Sequence, residues 1–280
     1  KMLNYIKAEC FKTFKRIYMR NTLLIFVLLA IAVNVLFFVA FRSSPTNSQE
    51  LIRTSLSVIV PMLLIMVYTA LIMVDIVFSD EYKYKTFKNT LSFGFTRTQV
   101  YFGKLAVSMI VTAVIFSITL AAYLVSLFLL LGFPEDMGLI GVVFNRVVAA
   151  IPLYIGALCL CNACAFIIPN NTAFSFVYMG FLMVPYLLFY TLTLLNPAFT
   201  PLFGTTLVTP FYTSIMGLDI HVANMGDMMG VGFKVDNIEN ILNAALLPGT
   251  SVAYCLILGL AYAAAATLIG LAVYRRREIR

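Results

Sequence analysis

The chain has 280 residues, of which 62% are hydrophobic and only 11% charged, against roughly half apolar and about a quarter charged in soluble domains. Together with a mean hydropathy of +0.97, these proportions exclude a soluble globular protein. The net charge of +7 is a matter of membrane topology and not of nucleic-acid binding, which would need a basic face on a water-soluble fold.

The charges sit in a few stretches between apolar runs long enough for helices to cross a hydrocarbon core, which takes about 20 residues. Helices are required there, because lipid cannot satisfy open backbone. The expected fold is therefore all-α: a polytopic membrane protein with six transmembrane helices.

Chain order begins with residues 1–20, where Leu3, Ile6, Cys10, Phe14 and Ile17 recur at helical spacing, with Lys12, Arg16 and Arg20 opposite. This predicts an amphipathic interfacial helix lying along the inner leaflet, its cations near anionic head groups. A plain basic flank that sets topology is the alternative. The apolar run that follows is too long for a signal peptide and no small-residue cleavage site succeeds it, so the segment is read as retained.

Spans are expected at 22–41, 56–79, 105–131, 147–168, 172–195 and 251–274, the second, fourth and fifth kinked by Pro61, Pro152 and Pro185. Counting Lys and Arg by loop places fifteen on one side and four (Arg42, Arg53, Arg146 and Lys234) on the other. That bias puts both termini and the 80–104 segment in the cytoplasm.

The segment 80–104 is too long for a turn and too short for a domain. Asp80 and Glu81 suit a helix start, Tyr84, Phe87 and Leu91 make one apolar stripe, Gly94 offers a stop, and Thr96 or Thr98 can cap the next span. A short cytoplasmic helix parallel to the membrane is implied. The segment 196–250 carries Pro197, Pro201, Pro210 and Pro248 amid apolar residues, which predicts partly buried or re-entrant structure on the outer side.

Catalytic and cofactor chemistry is sparse. The phosphate-cradling pattern G-x-x-x-x-G-K-[ST] is missing, and the only Gly-Lys pair, Gly103 and Lys104, is followed by Leu105. His221 is the single histidine, near Asp219, Asp227, Met228 and Met229, a weak basis for a metal site. Cys159, Cys161 and Cys164 share one apolar helix and read as small packing residues, and the five cysteines suggest no disulfide framework. Asp75 is the one acid inside an expected span, about a turn from its cytoplasmic end and within reach of water, Lys83 or Lys85; Arg146 is expected to snorkel at the outer boundary.

Around the 80–104 segment the sequence resembles the permease subunits of ABC-2 type ABC transporters, particularly the small six-span permeases of Gram-positive bacteria associated with peptide and antibiotic export or immunity. Glu81 and Tyr82, then Thr86, Lys88, Asn89 and Leu91, then Gly94, Arg97, Thr98 and Tyr101 are similar to the family pattern E-Y, G-T-x-[RK]-N-x-L, G-x-[ST]-R-T-x-x-Y, with Lys85 in place of the usual Gly. The layout from basic start to long fifth connection also fits.

The resemblance implies an ABC-2 (type V exporter-like) permease architecture in a bacterial plasma membrane. It implies ATPase-coupling residues at Glu81, Tyr82, Thr86, Phe87, Lys88, Asn89, Leu91, Gly94 and Arg97, forming a coupling helix that docks on a separate ATPase subunit. ATP and Mg would be bound by that partner and not by this chain. A second permease copy or paralogue would complete the assembly, and the cargo class would be antimicrobial peptides or other amphipathic antibiotics. Two other classes stay open: a proton-coupled secondary transporter relying on Asp75, and a non-transporting immunity protein that binds a toxin.

Overall fold

The computed structural model describes residues 2–41, 48–84, 94–168, 170–217 and 246–276, among which every regular element is helical. The helices are α1 (Met2–Phe14), α2 (Ile17–Phe41), α3 (Ser48–Tyr84), α4 (Arg97–Leu131), α5 (Gly138–Ile167), α6 (Asn171–Leu195), the one-turn α7 (Thr200–Phe203) and α8 (Gly249–Arg276). Six of them, α2 to α6 and α8, are long and apolar enough to cross a membrane.

The helices are longer than the apolar runs. At 1.5 Å per residue the 37 residues of α3 reach about 55 Å, and the 35 of α4 about 52 Å, well beyond a hydrocarbon core of about 30 Å. Hydropathy marks the part of a helix that lipid requires to be apolar; intrahelical hydrogen bonds carry the helix onward into the interface. Residues 80–84 thus extend α3 and residues 97–104 belong to α4, so the expected independent 80–104 segment shrinks at both ends.

The first helix also departs from expectation. It stops at Phe14, with Arg16 N–H bonded to the Thr13 carbonyl at 3.1 Å, and a new helix begins at Ile17. Ile17 and Arg20 therefore belong to the first span and not to the interfacial helix. Arg16, at the break, donates to the Ile76 carbonyl of α3 at 2.5 Å, a long-range bond that pins the change of helix.

Helix α5 is the centre of the bundle: 72% of its most apolar window is buried, against 11–44% for the other five. Its tightest neighbour is α8, and small residues permit the approach. A Cβ on Gly259 would collide with the backbone of Pro152 and Leu153, and one on Gly156 would meet the Gly259 carbonyl oxygen at 2.8 Å. Gly270 is similarly closed by Ala163 and the Tyr101 hydroxyl, each at 2.7 Å. In lipid, where side chains gain little from leaving the solvent, close backbone packing of this kind is a main source of helix association.

A buried polar network joins α2, α3 and α4. Asn34 donates to the Tyr123 carbonyl at 2.8 Å and to Ser126 Oγ at 2.7 Å, while Ser55 Oγ donates to Asn34 Oδ1 at 2.8 Å. Tyr123 donates its hydroxyl to the Ser55 carbonyl at 2.7 Å. Asn34 and Ser55 are fully buried, so these bonds replace partners the membrane interior cannot supply.

After α6 the described residues up to 217 pack against the bundle. A 3-10 turn at Pro197–Phe199, α7 and a π-helical turn at Phe211–Ile215 bury Phe203, Leu207, Val208, Phe211 and Ile215. Arg146 does not snorkel: it is 1% exposed and donates to the Ile215 carbonyl, tying the Phe211–Ile215 turn to α5. The alternative of reaching water would leave that carbonyl without this donor in a low-dielectric setting.

Candidate functional site

The N-terminal end of α4 is where the folded chain and the sequence motif meet. Gly94 has φ +80°, a left-handed backbone that glycine adopts without strain, and it precedes a formal helix start. Thr96 then caps α4: its Oγ accepts from the Gln99 N–H at 3.3 Å, and Gln99 Oε1 accepts from the Thr96 N–H at 3.0 Å. This reciprocal capping box satisfies two otherwise orphaned donors. The expected choice between Thr96 and Thr98 thus resolves to Thr96.

Arg97 follows at the first turn and reaches across the bundle. Its guanidinium donates to the carbonyls of Tyr274 and Arg275, at 3.1 and 2.7 Å, at the end of α8. Arg275 returns the link, donating from Nη2 to Thr98 Oγ1 at 2.9 Å. Cations at a helix C-terminus complete carbonyls that lack intrahelical donors. The start of α4 and the end of α8 are therefore tied together.

Helix α1 lies against the same end of α4. Tyr5 covers Gly103 so closely that a Cβ there would collide with the ring, and it meets the Phe95 ring at 5.0 Å between centroids. Glu9 Oε2 accepts from Lys104 Nζ at 2.5 Å, with side-chain exposures of 11% and 0%. Lys104 also approaches the Val77 carbonyl of α3 at 3.4 Å, and Lys12 lies 3.8 Å from Glu9. The buried side of α1 is thus Tyr5, Glu9 and Thr13.

The apolar positions expected to define α1 divide. Ile6 and Cys10 pack partly against the core, whereas Leu3 and Phe14 are 65% and 39% exposed, as is Ile17 at 67%. Leu3 and Phe14 remain available to lipid, while the docking face is one with a carboxylate in it. Burial and the Glu9 charge together hold the Cys10 thiol above its usual range.

Of the expected coupling residues, Glu81 and Tyr82 fall on the helical extension of α3, and Gly94 and Arg97 take the places described. Thr86, Phe87, Lys88, Asn89 and Leu91 lie outside the described residues. No family model matches the chain, and no curated protein matches it. The bearing of the site on function rests on this geometry and on the motif.

Other residues singled out by sequence find plainer places. Asp75 Oδ2 accepts from the Tyr18 hydroxyl of α2 at 3.1 Å, while Oδ1 has no hydrogen-bond partner among the described residues. Cys161 and Cys164 belong to the main core, whereas Cys159 packs with Leu105, Ala163 and Ala266 on another side of α5. Among the described residues no three His, Cys, Asp or Glu side chains converge as metal ligands, and His221 lies outside them.

Sequence reasoning passed over Glu9 and assigned Lys104 to topology. The available signal was the i, i+4, i+8 series Tyr5, Glu9, Thr13, which puts the only acid of α1 on one side with two residues able to pack.

Proposed function

We propose that the chain is the membrane permease subunit of an ATP-driven exporter of ABC-2 type, taking its energy from a separate ATPase chain. The observation that carries this reading is the way the cytoplasmic ends are joined. Helix α1, α3 at Val77, the start of α4 and the end of α8 are linked through Glu9–Lys104, Tyr5–Gly103, Lys104–Val77 and Arg97–Tyr274. A push on the chain between α3 and α4 would be delivered to helices that move together, as rigid-body coupling requires.

In this reading both termini face the cytoplasm of a bacterial cell, Mg and ATP are held by the partner, and two permease chains form the working unit. The cargo class is an amphipathic peptide or antibiotic. Phe87 and Leu91 supply the apolar anchors on the ATPase. Replacing both by Ala is expected to weaken ATPase association and cargo-stimulated ATP hydrolysis while leaving membrane insertion intact. Full association and full stimulation in that double variant would overturn the coupling role.

One observation favours a second reading, a proton-coupled secondary transporter: the intramembrane carboxylate of Asp75 has one oxygen with no hydrogen-bond partner among the described residues. Asp75→Asn should abolish proton-coupled flux but leave ATP-driven export largely unchanged. Export lost in Asp75→Asn and retained when the ATPase is inactivated would move the assignment to this second class.

A further inference from the structure

Two cavities flank α4 at the level of its middle. One, about 350 Å³, opens between α2, α3 and α4; the other, about 580 Å³, lies between α4 and α5 and reaches Phe211. They share Leu63, Met66, Thr112, Phe116, Leu120 and Tyr154. Among the described residues, no acidic or basic side chain lines either one. Both volumes fall in the range of small-molecule sites, about 300–1,000 Å³.

The walls are apolar except for a few hydroxyls at mid-helix, and three of these, on Thr112, Thr119 and Tyr154, have no hydrogen-bond partner among the described residues. Tyr154 and Thr112 are 8% and 7% exposed. Tyr154 lies near enough to Thr112 and Thr69 to interact with them, yet neither its hydroxyl, Thr112 Oγ1 nor Thr119 Oγ1 completes a hydrogen bond among the described residues. Thr69 donates instead to the Met66 carbonyl at 2.9 Å. A buried hydroxyl left in this condition forfeits the hydrogen bonds it would make in water.

Water is a poor remedy for cavities of this size. Each buried water needs two to four polar partners, and large apolar cavities stay dry and take apolar guests. Charged guests are excluded by the depth and by the uncharged walls. What fits is a molecule apolar over most of its surface with one oxygen to offer.

We propose that these cavities bind an uncharged, lipid-soluble molecule, a long-chain alcohol or carbonyl compound, whose oxygen hydrogen-bonds to Tyr154 and Thr112 between α3, α4 and α5. The site is independent of the ATP-driven reading of the chain.

The test uses the full chain in lipid nanodiscs, photolabelled with a hexadecanol bearing a diazirine and mapped by mass spectrometry. Label is expected on peptides containing Met66, Thr112 and Tyr154, displaced by excess unlabelled hexadecanol. Each lost hydrogen bond, in Tyr154→Phe or Thr112→Val, should lower apparent affinity about fivefold. A diazirine-bearing hexadecane should be indifferent to both substitutions. Label spread over outward-facing residues such as Leu36 and Ile257, or displacement unaltered in both variants, would overturn the proposal. Both substitutions conserve volume, and Thr112→Val alone decides the matter if Tyr154→Phe does not fold.

Discussion

The ion pair between Glu9 and Lys104 makes an asymmetric prediction that can be worked from its surroundings. Lys104 is fully buried and Glu9 Oε2 sits 2.5 Å from its ammonium, whereas the Glu9 side chain keeps 11% exposure and has Lys12 at 3.8 Å. Opposite charges about 4 Å apart attract by about 4 kcal/mol at the effective dielectric of a partly wet site, and desolvation offsets much of this. Removing the carboxylate while the buried ammonium stays is the costly direction. Glu9→Gln should therefore destabilise the protein by about 3 kcal/mol. Lys104→Met should cost less, about 1 kcal/mol, because the carboxylate keeps an exposed cation and access to water. The double variant should recover part of the stability lost in Glu9→Gln, since with both charges gone no uncompensated ammonium stays buried. Unfolding of the four proteins in mixed dodecyl maltoside and dodecyl sulfate micelles supplies the cycle. Equal costs for the two single substitutions, adding in the double variant, would refute the reasoning.

Further predictions concern the packing that holds α5 and the joined ends of α4 and α8. Gly259→Ala should cost more than about 2 kcal/mol, because the new methyl meets the Pro152 and Leu153 backbone, while Gly180→Ala, with open space around it, should be neutral or slightly stabilising in the same micelle assay. Asn34→Leu removes the hub that bonds Tyr123, Ser126 and Ser55, and is expected to cost about 1–2 kcal/mol, in line with the modest worth of interhelical hydrogen bonds in membranes. Arg97→Met should leave global stability within about 1 kcal/mol yet speed proteolysis at Arg275 and Arg276, since the carbonyls that end α8 lose their donor; unchanged cleavage there would contradict the tie between α4 and α8.

The spans were legible because a bilayer imposes a simple demand, some 20 apolar residues in a row. The run from Leu23 to Val39 needs no partner to announce a helix, and Pro61, Pro152 and Pro185 do lie inside α3, α5 and α6. The ends were less legible, since nothing in hydropathy reports that α3 continues to Tyr84 or that α4 begins at Arg97. Charges misled for a related reason. Lys104 and Arg146 counted towards topology, but each is buried against a specific acceptor, Glu9 in one case and the Ile215 carbonyl in the other. Such pairings join residues 95 and 69 positions apart, a relation that no local pattern encodes. A lone amide in an apolar span, such as Asn34, asks for a polar partner, and it has three, but the sequence does not say which. The cap at Thr96 and the turn at Gly94 were legible because both depend on a few adjacent residues.

The central claim is that a separate ATPase drives this chain through its cytoplasmic face. Purifying the tagged full-length protein from its native membrane in mild detergent, identifying co-purifying chains by mass spectrometry and assaying ATP hydrolysis on the same sample tests that claim most directly. The account predicts a nucleotide-binding subunit in stoichiometric amount, with ATPase activity that falls when Phe87 and Leu91 are replaced by Ala. Reproducible recovery of the intact chain with no such subunit and no ATP hydrolysis would contradict it.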